Sequence, residues 1–269
     1  MEFTLAQNYI LFLGLFLVTF LASFILVAIL RRISEEFNLY DLPNSRKMHF
    51  KPLARIGGLG IFISFMAANL SLFFLMPTYK LSLVNNAIPL LIVSLIIFSV
   101  GFFDDIRRTS PFSRLFIQAL SSCFLWSQGL SIKIIDFSYI LPQEKFWHLP
   151  DFISLVITFL WISGIFNCIN WMDGLDGLCA GTSFLILISF GISGFLNQNY
   201  FTLIICLTLT ASVLGFWLHN KYPAKITMGD GGSNFIGFSI SILGIISLQR
   251  EFNQEYATNL VEYLKIKNN

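Results

Sequence analysis

Charge is scarce in this sequence. Of its 269 residues only 12% are Asp, Glu, Lys or Arg, against the roughly 25% that an ordinary soluble domain carries. That shortage, beside 55% apolar and 16% aromatic residues, argues against a chain that folds with its whole surface in water. Basic and acidic residues nearly balance, at a formal net charge of +2. The basic ones sit in short loops and form no continuous stripe, so nucleic acid is not an expected partner. Histidine is rarer still, with three in the chain. The four cysteines, Cys123, Cys168, Cys179 and Cys206, have neither C-x-x-C spacing nor a histidine companion, which reads as small apolar packing residues. No repeat of 20 to 50 residues and no low-complexity linker divides the chain, and a single domain over 1–269 is expected.

Long apolar runs are what the chain has instead. They fall at about 9–30, 56–76, 84–103, 112–129, 150–168, 177–196, 200–218 and 232–248, each close to the ~20 residues a helix needs to cross a bilayer. The expected fold is all-α, a polytopic transmembrane helical bundle of about eight spans. The first run lacks a basic n-region and a small-residue cleavage site, so it reads as a retained span. Loops after the odd-numbered spans hold Arg31, Arg32, Arg46, Lys47, Lys51, Arg55, Arg107, Arg108, Arg114, Lys221 and Lys225, whereas those after spans two, four and six hold Lys80, Lys133 and Lys145. By the positive-inside rule the richer loops are cytoplasmic and the N-terminus lies outside.

The acidic residues gather on that same side. Asp104 and Asp105 directly follow a span, Asp173 and Asp176 lie between two spans in "NWMDGLDGL", and Asp230 opens another in "MGDGGSNFIG". Carboxylates at or near membrane depth are costly and are usually functional. Hard oxygen donors of this kind suit Mg²⁺ or Mn²⁺ shared with substrate phosphates. Each also has a plainer reading. Asp104 and Asp105 could flank a helix end with Arg107 and Arg108 as partners. Asp173 and Asp176, if helical, share a face and could cap the next helix near Gly177, and Asp230 could be an N-cap. Three such caps on one membrane face make a weaker account than one site.

Other groups fit the same chemistry. Gly174 and Gly177, and Gly229, Gly231 and Gly232, permit backbone N–H groups to approach a phosphate at a helix N-terminus, although no G-K-[ST] follows to make a Walker A loop. Small residues also serve helix packing in lipid. Arg46, Lys47, His49, Lys51 and Arg55 crowd one loop, either as an anchor on anionic headgroups or as neutralisers of a diphosphate or lipid phosphate. Arg108 joins these candidates for substrate binding. His148, on the outer side, is set aside. Asn220 follows a span ahead of Pro223, and its amide could read a nucleobase or cap a turn.

Taken in order, "DLPNSRKMHFKPLARIGG", "DDIRRTSPFSRL", "NCINWMDGLDGL" and "PAKITMGDGGSNFIG" resemble the motifs of the polyprenyl-phosphate N-acetylhexosamine-1-phosphate transferase family. The likeness covers about residues 41 to 238. The first motif is closer to the branch that starts O-antigen, enterobacterial common antigen or teichoic acid synthesis than to the peptidoglycan-precursor branch. The resemblance implies a bacterial inner-membrane enzyme that moves N-acetylhexosamine-1-phosphate, with UDP-GlcNAc the favoured donor, onto undecaprenyl phosphate, releasing UMP and using Mg²⁺. It further implies that Asp104 acts on the lipid phosphate as base or positioning group, with Asp105 close to it and to the metal. Asp230 would be a metal ligand, and Asn170, Asp173, Asp176 and Asn220 would face the nucleotide. Family members usually carry a further loop with a His-x-His motif and then more helices. Here no histidine follows His219, and the tail shows a stripe of Phe252, Tyr256, Leu260 and Leu264, expected at the outer interface. Two alternatives stay open: a catalytically impaired relative acting as a lipid-binding or assembly subunit, and a cation-coupled transporter. The latter would place charge at mid-span rather than at span ends. Homo-oligomerisation is left open.

Overall fold

The computed structural model describes residues 5–38, 40–41, 52–75, 88–107, 110–136, 146–197 and 199–247. Arg46, Lys47, His49, Lys51, Arg108 and the 252–264 stripe lie outside them. Among the described residues are eight helices, in agreement with the eight apolar runs: α1 Leu5–Glu36, α2 Gly57–Leu75, α3 Ile88–Arg107, α4 Pro111–Ser127, α5 Asp151–Met172, α6 Leu178–Leu196, α7 Tyr200–Asn220 and α8 over 229–247. Five, α1, α3, α5, α6 and α7, are individually long and apolar enough to cross a membrane. The protein is an all-α, multi-pass membrane protein.

Helix ends depart from the apolar runs, and the departures fall where the acidic residues are. α3 runs on to Arg107, so Asp104 and Asp105 occupy its last turn rather than following the span. α5 continues to Met172 and carries Asn170 with it. α8 begins at 229, which puts Asp230 inside the first turn instead of at the N-cap. Hydrophobicity marks only the part of a helix that meets lipid or core.

α8 is the centre of the bundle. Phe235 and Ile236 belong with α2, α6 and α7 in one apolar cluster. Phe238, Ile242 and Ile245 belong with α3, α4 and α5 in a second. A helix buried on all sides needs no amphipathic stripe, and this one is buried almost throughout. Phe62 of α2 stacks on Phe98 of α3 at 4.1 Å and meets Phe235 edge-on at 5.1 Å, tying three helices together. α1, by contrast, leaves Ile10, Leu13, Val18, Leu21 and Ile25 exposed, as a lipid-facing helix should. Cys179 and Cys206 are buried, as packing residues would be, and Cys123 and Cys168 face outward.

Close approach of α3 to α8 depends on Gly101. A Cβ there would lie 2.6 Å from the Asp230 carbonyl oxygen and 2.8 Å from Gly231 Cα, so any larger residue forces the helices apart. Two small sheets close the ends. β1 (Tyr40–Asp41) pairs antiparallel with β2 (Leu53–Ala54). Beside it the chain at 54–58 interlocks with 226–228, through Thr227 N–H to Ala54 O at 2.8 Å and Gly58 N–H to Met228 O at 2.8 Å. The second sheet, β3 (Ile134–Asp136) with β4 (Phe146–His148), follows the other end of α4.

Candidate active site

The C-terminal ends of α3 and α5, the connection to α6, the segment joining α7 to α8 and the chain before α2 converge at one end of the bundle. Asp105 holds the centre. Its Oδ1 accepts from the Asp230 N–H at 2.7 Å and its Oδ2 from the Gly231 N–H at 3.0 Å. It thereby satisfies two of the orphan donors at the N-terminus of α8, where the helix dipole also favours a negative charge. Gly229, at φ 77°, turns the chain into that helix. Its own N–H donates to Asp173 Oδ2 at 3.0 Å.

Arg55 joins the two carboxylates that matter most. Its Nε donates to Asp105 Oδ1 at 2.9 Å and its Nη2 to Asp230 Oδ2 at 3.1 Å. Asp230 Oδ1 accepts from the Asn170 amide at 3.0 Å, and that amide also reaches Ser233 Oγ at 2.8 Å. Arg55, Asp105, Asn170 and Asp230 therefore form one partly buried cluster drawn from four separate segments. All four are candidates in the sequence. Arg55 is there only one member of a basic loop, and its bridging of the acidic residues emerges in the fold.

Of the plainer readings, the Arg107 pairing and the capping of α6 by Asp173 and Asp176 do not hold among the described residues. Arg107, one expected partner of the α3 pair, lies over the Phe103 ring at 5.5 Å. Arg108 lies outside the described residues, and Asp104, only 4% exposed, pairs with Arg114 at 3.4 Å. The sequence does not single out that partner, although Ser110 caps α4 and Pro111 starts it, which places Arg114 one turn into a helix beside α3. Asp173 and Asp176 do not share a helical face or cap α6. They lie in the turn after α5, and Asp176 Oδ2 accepts from the Ala224 N–H at 3.0 Å. The N-cap of α6 is Gly177, in the left-handed region, with no side-chain cap.

The Gly-rich start of α8 also behaves differently from a phosphate cradle. The N–H groups of 229, 230 and 231 all donate to carboxylates. Asn220, 3% exposed, accepts from the Gly177 N–H at 3.1 Å and donates to Ile226 O at 2.9 Å. Its amide locks two connections together, which is the turn-fixing reading of the two offered by the sequence.

A divalent ion fits the chemistry of this donor set. Two carboxylates are held together by a positive guanidinium, so the place is already built around a cation. No group of three His, Cys, Asp or Glu among the described residues could hold a metal by itself. That arrangement suits an ion that completes its shell with water and phosphate oxygens, as Mg²⁺ does.

The described helices thus form a membrane bundle with a half-buried acidic cluster at one end. The profile of glycosyl transferase family 4 matches residues 87–248, and the chain belongs to that family. It is 34% identical over 236 residues to a probable undecaprenyl-phosphate N-acetylglucosaminyl 1-phosphate transferase of Bacillus subtilis strain 168, covering 87% of this chain and 63% of the relative. Phospho-N-acetylmuramoyl-pentapeptide-transferase of Enterococcus hirae is 30% identical over 193 residues, 66% of this chain and 56% of its own length. The chain thus spans about three fifths of these relatives.

Proposed function

We propose that the protein transfers N-acetylhexosamine-1-phosphate, with GlcNAc-1-phosphate the favoured group, from a UDP-sugar to undecaprenyl phosphate. The products are a lipid diphosphosugar and UMP, and the step would open the synthesis of a cell-envelope polysaccharide. The observation that carries this reading is the convergence of Arg55, Asp105, Asn170 and Asp230 at one end of the bundle. The relative from Bacillus subtilis, whose name describes such a transfer, supports it. We place the protein in the bacterial inner membrane with these loops cytoplasmic, on the strength of the basic residues in the same set of loops.

In the reaction an oxygen of the lipid phosphate attacks the β-phosphorus, and the bond from that phosphorus to the bridging oxygen breaks, releasing UMP. Asp230, with the Asn170 amide at its side, would hold Mg²⁺, which when bound supplies positive charge to the diphosphate oxygens. Asp105 anchors the first turn of α8 and so fixes where Asp230 points. Arg55 has the planar fork to grip a diphosphate. Asp104, held by Arg114, is left to position the lipid phosphate; a phosphate monoester is already largely ionised at neutral pH and needs little help from a base. Asp173 and Asp176 shape the nucleotide side by fixing the 221–229 connection.

The test is to incubate purified protein with undecaprenyl phosphate, Mg²⁺ and a panel of UDP-sugars, and to measure UMP and the lipid product. Metal-dependent UMP release with at least one donor is expected. Folded protein that releases none with any donor would overturn the reading in favour of a lipid-binding or assembly role.

A further inference from the structure

We propose that Arg55 is a built-in placeholder for the divalent cation. In the substrate-free protein its guanidinium keeps the position between Asp105 and Asp230 closed to a bare ion, and it yields to one that arrives with phosphate oxygens. This rests on reading the acidic cluster as a metal and diphosphate site. The geometry carries it in three parts. Arg55 spans both carboxylates at 2.9 and 3.1 Å, so it neutralises the same pair that a divalent ion would neutralise. Asp105 cannot turn away to make room, because its oxygens also accept the N–H groups of Asp230 and Gly231. Asp230 is likewise tethered by the Asn170 amide. The backbone under Arg55 is pinned on either side, by Thr227 N–H to Ala54 O and Gly57 N–H to Thr227 O, so release falls to the torsions of its side chain.

The electrostatics follow. The side chains of Asp105 and Asp230 are 4% and 23% exposed, which leaves little water to screen charges placed between them. A dication added beside the guanidinium would crowd a second cation against a carboxylate pair that Arg55 already bridges. A diphosphate relieves that crowding, and offers Arg55 a bidentate partner as good as the one it leaves. Metal and nucleotide-sugar therefore bind with positive coupling, and coupling between two ligands is reciprocal.

The test measures Mn²⁺ binding to the detergent-purified full chain from loss of the free-ion electron paramagnetic resonance signal, with no nucleotide present. Arg55→Gln removes the charge, Arg55→Met removes it while keeping the aliphatic stem, and Arg55→Lys keeps it. The neutral variants are expected to bind Mn²⁺ at least about ten-fold more tightly than the unaltered protein, within the range usual for coupled sites, and Arg55→Lys to stay near it. Neutral variants that bind no better, or Arg55→Lys gaining as much as they do, would overturn the proposal. Should both neutral variants fail to fold, the unaltered protein decides: a Kd tighter than about 10⁻⁵ M, as in dedicated cation-sensing sites, overturns it and weaker binding that tightens with UDP-GlcNAc supports it. Absence of Mn²⁺ binding in every form, with and without UDP-GlcNAc, removes the metal-site reading as well, which separates the two failures.

Discussion

Asp104 and Asp105 are neighbours in sequence and part company in the structure, whereas Asp173 and Asp176 stand three apart and do the same kind of work. On α3 one residue of advance rotates a side chain by about 100°. Asp104 therefore meets Arg114 on α4, while Asp105 reaches Arg55 and the first turn of α8. In the turn after α5 both carboxylates face the 221–229 connection and accept backbone N–H groups from it. Acidic pairs of similar appearance thus split into one that is divided between charged partners and one that serves as scaffolding. The difference comes from the local backbone, helix in one case and turn in the other.

The largest effect should come from the residue at the heart of the charged cluster. Asp230→Asn keeps the shape and the link to Asn170 but loses the charge. Turnover should fall by about 10²- to 10³-fold or more, read as UMP release across a Mg²⁺ titration, with the fold intact; unchanged turnover at limiting metal would remove Asp230 from the site. Next, Asp105→Ala leaves two α8 N–H groups unpaired and takes from Arg55 one of the two carboxylates it bridges. It should cost about 3–5 kcal/mol, measured by unfolding in detergent, and should cost more than the same change at Asp104. A smaller loss than at Asp104 would reverse the roles assigned to the α3 pair. Gly101→Ala pushes α3 from α8 and should cost about 1–3 kcal/mol while lowering turnover, since Asp105 and the start of α8 are then out of register. A stable, fully active variant would show that the approach of these helices is not what sets the site. The smallest effects belong to the scaffolding pair. Asp173→Ala and Asp176→Ala should each cost about 1–2 kcal/mol, as loss of a cap does. A cost at either matching that of Asp105→Ala would erase the contrast.

Much of the site is legible in the sequence, and the parts that are not share a cause. Asp105, Asn170 and Asp230 stand out because polar groups interrupt apolar runs on one side of the membrane. Arg55 stands out only as one basic residue among five in its loop, because nothing in its spacing says that it lies against α3 and α8. Arg114 draws no attention, since a lone arginine near a helix start is ordinary. The glycines at 229, 231 and 232 suggest a phosphate cradle, and in the fold the N–H groups of 229, 230 and 231 are partnered by carboxylates from two other segments. Asn220 offers two readings, and only its burial against Gly177 and Ile226 separates them.

The sequence by itself determined the class of fold, the eight helices found among the described residues and the end of the bundle at which the acidic residues collect. Those follow from hydrophobic run length and from the cost of burying charge, which are properties of short stretches of chain. Only the tertiary structure decided which carboxylate caps α8, which one Arg55 joins to Asp105, and which serve the loop. Those assignments depend on helix phase and on how closely α3 and α8 approach at Gly101. They are set by contacts between residues far apart in sequence, whose pairing no local pattern encodes.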